Sequence, residues 1–130
     1  MQAVAEPNVF KTATASAAGN TALWTPASGK KFRLMRFMIQ VPANVSVAAR
    51  GVISVGLQDG TTDLKLTFDF FVGQTAPVET ASSEPPNFNT GWIDIGNGIL
   101  SAAANNVFNI NLSGALAAGT VRVTCCGTEE

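Results

Sequence analysis

Turn-forming residues punctuate this chain every 8–15 positions, and no segment between them carries an apolar stripe at helical spacing. The punctuation falls at Gly19-Asn20, Pro26 to Gly29, Pro42 to Asn44, Asp59-Gly60, Pro85-Pro86, Gly96 to Gly98, and Gly114. Between these points lie short runs of Val, Ile, Phe, Thr and Leu, the spacing of a sandwich or barrel. The pattern predicts about eight strands, near 8–14, 21–25, 32–41, 51–58, 62–72, 90–95, 106–113 and 120–126. At 130 residues the chain is one domain's worth of sequence, and it can bury a core without a metal or a disulfide. The expected fold is therefore all-β, a single-domain antiparallel β-sandwich over 21–130. An extended N-terminal arm, 1–20, precedes it. Beyond Met1 that arm has only Val4, Val9 and Phe10 as large apolar anchors, so it is expected to become ordered where a neighbouring chain covers it.

Asp59-Gly60 is the clearest local signal, because both residues tolerate the positive φ of a tight type I′ hairpin turn. Pairing across that turn sets Ile53 against Leu66, Val55 against Leu64 and Leu57 against Thr62. All the apolar side chains then share one face, which Phe68, Phe70 and Val72 extend, and a slip of one residue would expose the whole set. A longer loop with a bulge also fits. Phe108, Ile110 and Leu112 alternate with polar partners, as do Val121, Val123 and Cys125. Residues 32–41 differ: Met35, Phe37, Ile39 and Val41 share one face, and Phe32, Leu34 and Met38 the other. That predicts a strand covered on both sides. Residues 73–89 lack any period and hold three of the six prolines, which predicts a long interaction loop.

Charged residues make up only 13% of the chain and the net charge is −1, so there is no electrostatic footprint for nucleic acid. Polar surface comes instead from Thr, Ser and Asn, a covering that suits burial against other copies. No His is present, which removes imidazole catalysis and imidazole metal ligation. No Ser nucleophile elbow or singled-out carboxylate pair appears either, so the chain is read as a non-enzyme. Asp59, Asp63 and Asp69 lack the spacing of a calcium loop, and neither cofactor nor metal is expected. No run reaches the length of a membrane helix, and the N-terminus lacks the basic and apolar regions of a signal peptide. The adjacent Cys125 and Cys126 point to opposite faces of a strand, so one thiol faces the core and one faces outward. Asn44-Val-Ser46 and Asn111-Leu-Ser113 match the glycosylation acceptor pattern, which matters only in a secreted chain.

The strongest charge concentration is Lys30, Lys31, Arg33 and Arg36, four of the eight basic residues. Strand alternation puts Lys31 and Arg33 on one face and Arg36 on the other. The cluster reads either as a contact for an acidic partner surface or as ordinary solvation of a strand edge. Candidate interaction residues are Val4, Val9 and Phe10 in the arm, Lys30, Lys31 and Arg33 in the basic cluster, and Pro85, Pro86 and Phe88 in the long loop. Trp24 and Trp92 read as core, or alternatively as platforms for sugar rings.

At residues 23–39, LWTPASGKKFRLMRFMI, an apolar strand, a Pro-Ala-Ser-Gly turn with basic residues and a long apolar strand follow one another. With TGWIDIGNGIL and the Ala/Gly-rich hairpin from Ser113 to Val123, the chain resembles small structural proteins of tailed bacteriophages. The capsid decoration, or cement, proteins are the nearest such family. The resemblance implies a sandwich of jelly-roll type on the outside of the virion capsid, made in the host cytoplasm, stabilising the head. It also implies the major capsid protein and copies of the chain itself as partners, with a trimer favoured, and neither nucleic acid nor membrane. Tail and head–tail junction proteins share the same look. The competing class is a carbohydrate- or receptor-binding β module.

Overall fold

A computed structural model describes residues 6–42, 46–47, 51–74 and 88–130. The strands are β1 (Val9–Ala15), β2 (Gly19–Trp24), β3 (Phe32–Val41), β4 (Ser46–Val47), β5 (Gly51–Asp59), β6 (Thr62–Gln74), β7 (Phe88–Asn89), β8 (Ile93–Leu100), β9 (Phe108–Leu112) and β10 (Val121–Glu129). One sheet runs β1-β10-β3, with β8 and the two-residue β7 both on the far side of β3. The other runs β2-β9-β5-β6-β4. All pairs are antiparallel except β4 with β6. Apart from the two-residue β4 and β7, the chain changes sheet at every connection but the β5–β6 hairpin. Four principal strands therefore lie in each layer, in the order of a jelly roll. This is the expected single-domain β-sandwich.

The inner faces bury a continuous apolar layer. Trp24, Phe32 and Phe108 pack at one end, with ring centroids 5.6 and 5.0 Å apart along that chain of contacts. Phe37 against Phe68 and Phe70 against Phe88 continue it toward the other end. Trp24 is fully buried, and its indole Nε1 donates to Glu129 Oε1 at 2.9 Å, satisfying the ring's one polar atom.

Strand β3 corrects the expectation of a strand covered on both sides. Its pairing shifts by one residue against β10, where Cys126 faces Arg36 and Gly127 faces Leu34. Met35 is the inserted residue of a β-bulge. The bulge reverses the alternation, so Phe32 and Leu34 face the core together with Phe37, Ile39 and Val41. A break in period and a two-sided apolar strand look alike in sequence; only the pairing separates them. The same bulge brings Arg33 and Arg36 to one face, the outer one, rather than to opposite faces.

The β5–β6 hairpin keeps the expected faces with a different register. Asp59 pairs with Thr62, so the two-residue loop is Gly60-Thr61; φ is +62° at Gly60 and not positive at Thr61, the pattern of a type II′ turn. Two residues later the ladder shifts again, leaving Leu64 and Lys65 unpaired, with Lys65 at φ +63°. Val55 therefore faces Phe68 rather than Leu64, and Ile53 faces Phe70 rather than Leu66. Both shifts are even, so Ile53, Val55 and Leu57 and, across the hairpin, Leu64, Leu66, Phe68 and Phe70 stay on their predicted face.

The division at residue 20 also moves. Residues 9–15 pair with β10 over seven positions as an edge strand of the chain's own sheet, and Ala15 lies in the core. The turn signal at Gly96 to Gly98 is a bulged excursion inside β8: Arg36 pairs with Asp94 while Leu34 pairs with Ile99, so residues 95–98 stand against Met35 alone. Gly96 and Gly98 supply its positive φ values.

Candidate functional site

Register across the first sheet builds one continuous row on its outer face. Phe10 of β1 faces Cys126 of β10, Cys126 faces Arg36 of β3, and Arg36 faces Asp94 of β8. Arg36 reaches this face because of the Met35 bulge, and Asp94 is held at the mouth of the β8 bulge, where its Oδ1 accepts from Gly96 N at 2.8 Å. Arg36 Nε lies 3.4 Å from Asp94 Oδ2, with both side chains about half exposed. Trp92, just ahead of β8, joins the row at its far end. Phe10, Arg36, Trp92, Asp94 and Cys126 line a single open cavity of about 400 Å³.

The aromatic members are conspicuous because they are not needed by the core. Phe10 is 65% exposed and Trp92 is 50% exposed. Trp24 belongs to the core and is closed to any ligand, so the two tryptophans that look alike in sequence have separate roles. Cys126 forms the floor of the cavity and is buried; desolvation raises its thiol pKa, with Arg36 pulling it down and Asp94 pushing it up. Cys125, on the opposite face of β10, lies in the core, and burial pushes its thiol up to about 12. Both cysteines are free thiols. Beyond the row the outer face is covered by Thr12, Thr14, Thr124 and Arg122, with the Thr12 and Thr124 hydroxyls hydrogen-bonded at 3.1 Å.

The other predicted interaction residues scatter. Val9 packs against the core rather than outward, and Phe88 stacks on Phe70 with a centroid separation of 6.4 Å. Lys30 is exposed in the turn before β3, and the backbone of Lys31 exchanges hydrogen bonds with Glu130 in both directions. Arg33 is bound to the Glu130 carboxylate and donates to the Asn97 carbonyl at 3.1 Å, which fastens the β8 bulge to β3. That ion pair holds the Glu130 carboxyl below its ordinary range. Val4, Pro85 and Pro86 lie outside the described residues.

The three carboxylates weighed for calcium part company. Asp63 accepts from the Lys65 backbone at 2.7 Å and supports its positive φ. Asp69 is bonded by the Ser54 hydroxyl. Asp59 is 5% exposed and accepts from Ser101 Oγ at 2.8 Å, Ala102 N at 2.8 Å and Asn106 Nδ2 at 3.0 Å. It ties the β5–β6 turn to the β8–β9 connection. Its place at the start of a turn was legible; its burial was not, since its partners lie more than forty residues downstream. Among the described residues no three Cys, Asp or Glu side chains gather as a metal site would require. Sequence reasoning singled out Phe10 and the basic cluster but not the row that unites Phe10 with Arg36, Asp94 and Cys126. The faint signal was Trp92 beside an alternating Ile93-Asp94-Ile95 run. No family model matches this chain, and no characterised protein or solved structure matches it significantly.

Proposed function

We propose that this chain is a structural protein of a tailed-phage particle, a cement protein that binds the outer capsid surface and stabilises the head. The observation that carries this reading is the β1 edge. It runs Val9–Ala15 without a bulge against β10, carries Lys11 as its one charge, and includes the exposed Phe10. Natural sheets blunt a free edge with very short strands, bulges, prolines or charges; this edge is seven residues long and regular, with Lys11 as its single device of that kind, which leaves most of its length open as a template for a further strand. The jelly-roll order agrees with a capsid-associated role, although folds of this kind also serve as lectins. Binding that exists only on the assembled lattice stabilises the lattice by mass action, and copies arranged about a symmetry axis, three in the favoured case, would share the load. The chain acts by binding rather than by turnover: it has no His, and its one buried carboxylate among the described residues is engaged by structural donors.

The test is co-sedimentation with purified particles, together with light scattering of the free protein. Replacing Thr12 and Thr14 with Glu places like charges along the β1 edge on exposed positions. The folded variant should be lost from the particle pellet and should fall to monomer in solution. Retention equal to the parent chain on both measurements rejects the edge as the attachment element. Immunogold label on tails instead of heads rejects the decoration role.

A further inference from the structure

Beyond its use as an assembly edge, the outer face holds a cavity whose lining has a chemical preference of its own. Phe10 and Trp92 offer aromatic surface on either side, and the buried Cys126 provides an uncharged floor. Arg36 and Asp94 stand half exposed along the same row, 3.4 Å apart, so each keeps hydrogen-bonding capacity that the other does not use. A guanidinium offers five N–H donors and a carboxylate two acceptor oxygens, so together they address adjacent groups that both donate and accept. Because the two charges compensate each other, the pair brings no net charge to the cavity. An anion would have to displace Asp94 from Arg36, and a cation would have to displace Arg36 from Asp94. The complementary ligand is therefore neutral, has one apolar face for an aromatic ring, and carries vicinal hydroxyls at its rim.

We propose that this row is a saccharide-binding site that takes a short neutral glycan, one pyranose ring stacked on Trp92 and a further ring reaching Phe10, hydrogen-bonded through its hydroxyls to Arg36 and Asp94. A cavity of about 400 Å³ falls in the range of small-ligand sites. Three strand spacings separate β1 from β8 along the row, about 14 Å, which leaves length for a chain of sugars rather than a single buried ring. The ring's C–H face meets the electron-rich aromatic face, and charge-assisted bonds to the hydroxyls fix its orientation.

Saturation-transfer NMR on the intact chain tests this with methyl β-D-glucopyranoside and cellobiose as probes. Sorbitol serves as a polyol without a ring, and N-acetylneuraminate as an anionic sugar. The expected result is transfer strongest at the axial ring protons H1, H3 and H5, stronger for cellobiose and absent for sorbitol. Trp92→Ala should weaken binding about tenfold, the equivalent of roughly 1.4 kcal/mol, and Asp94→Asn should weaken it several-fold. Trp92 and Phe10 are exposed, so Trp92→Ala and Phe10→Ala should leave the melting temperature in place and serve as folded controls. No transfer from either glucoside, transfer that survives Trp92→Ala, or preference for N-acetylneuraminate each overturns the assignment. So does conversion of an oligomer to monomer by Trp92→Ala without any sugar binding, which would make the row a contact between copies. The site is probed on the free chain, so its failure is independent of capsid attachment.

Discussion

Replacing Asp59 with Ala should destabilise the fold far more than the loss of one turn residue suggests. The carboxylate is 5% exposed and receives hydrogen bonds from Ser101 Oγ, Ala102 N and Asn106 Nδ2. Truncation leaves the Ala102 amide and the Asn106 carboxamide facing an apolar methyl. Each unsatisfied donor costs about 1–3 kcal/mol. The Ser101 hydroxyl keeps its contact with the Ala103 carbonyl at 3.0 Å and adds little. Two orphaned donors, partly relieved by water at the rim, give roughly 2–4 kcal/mol. For a domain of this size that is a fall in melting temperature of roughly 10 °C. Asp59→Asn should cost nearly as much, because its NH2 group must point at one of the same donors. Urea unfolding followed by circular dichroism measures the change, with the slope of the transition expected to stay constant. A loss below about 1 kcal/mol for Asp59→Ala would show that the carboxylate is solvated and that the knot does not hold the turn.

Gly127→Ala should cost about 3 kcal/mol or more by the same assay. A β-carbon there collides with the Arg33 carbonyl and crowds Trp24, and backbone on a central strand has nowhere to go. Cys125 should resist thiol reagents in the native state, whereas Phe10→Ala should uncover Cys126 and speed its labelling selectively. With the Cys125 thiol raised from an ordinary value near 9 to about 12, both states keep the proton below pH 9. Above that the unfolded chain releases it first, so stability should fall as pH rises from about 9 toward 12, and Cys125→Ala should flatten that fall in a pH series of unfolding curves. Deleting residues 1–8 should leave the melting temperature nearly unchanged because β1 begins at Val9, while deleting 1–15 should lower it sharply by removing a paired strand and buried Ala15; equal effects would contradict the strand assignment.

What the sequence by itself determines here is local. The period of two in residues 53–57, 66–70, 108–112 and 121–125 depends only on which side of a pleat each residue takes, so their inward faces were readable without any partner. Gly60 marked its turn because the required φ excludes most side chains. Pairing is another matter. The β5–β6 register moved by two and then four positions without disturbing a single face, since the core constrains parity and leaves even shifts to the turn and the bulge. The Met35 bulge changes parity within β3, and its apolar run is equally consistent with a regular strand buried on both sides. Only the ladders to β10 and β8 decide, because an inserted residue exists solely by comparison with a neighbour. The same holds for the outer row. Phe10, Arg36, Asp94 and Cys126 are spread over nearly the whole chain, and nothing in the spacing between them specifies contact. Their meeting follows from the order β1-β10-β3-β8, which is a property of how the two sheets cover one core, and from a bulge that turns Arg36 outward to join them.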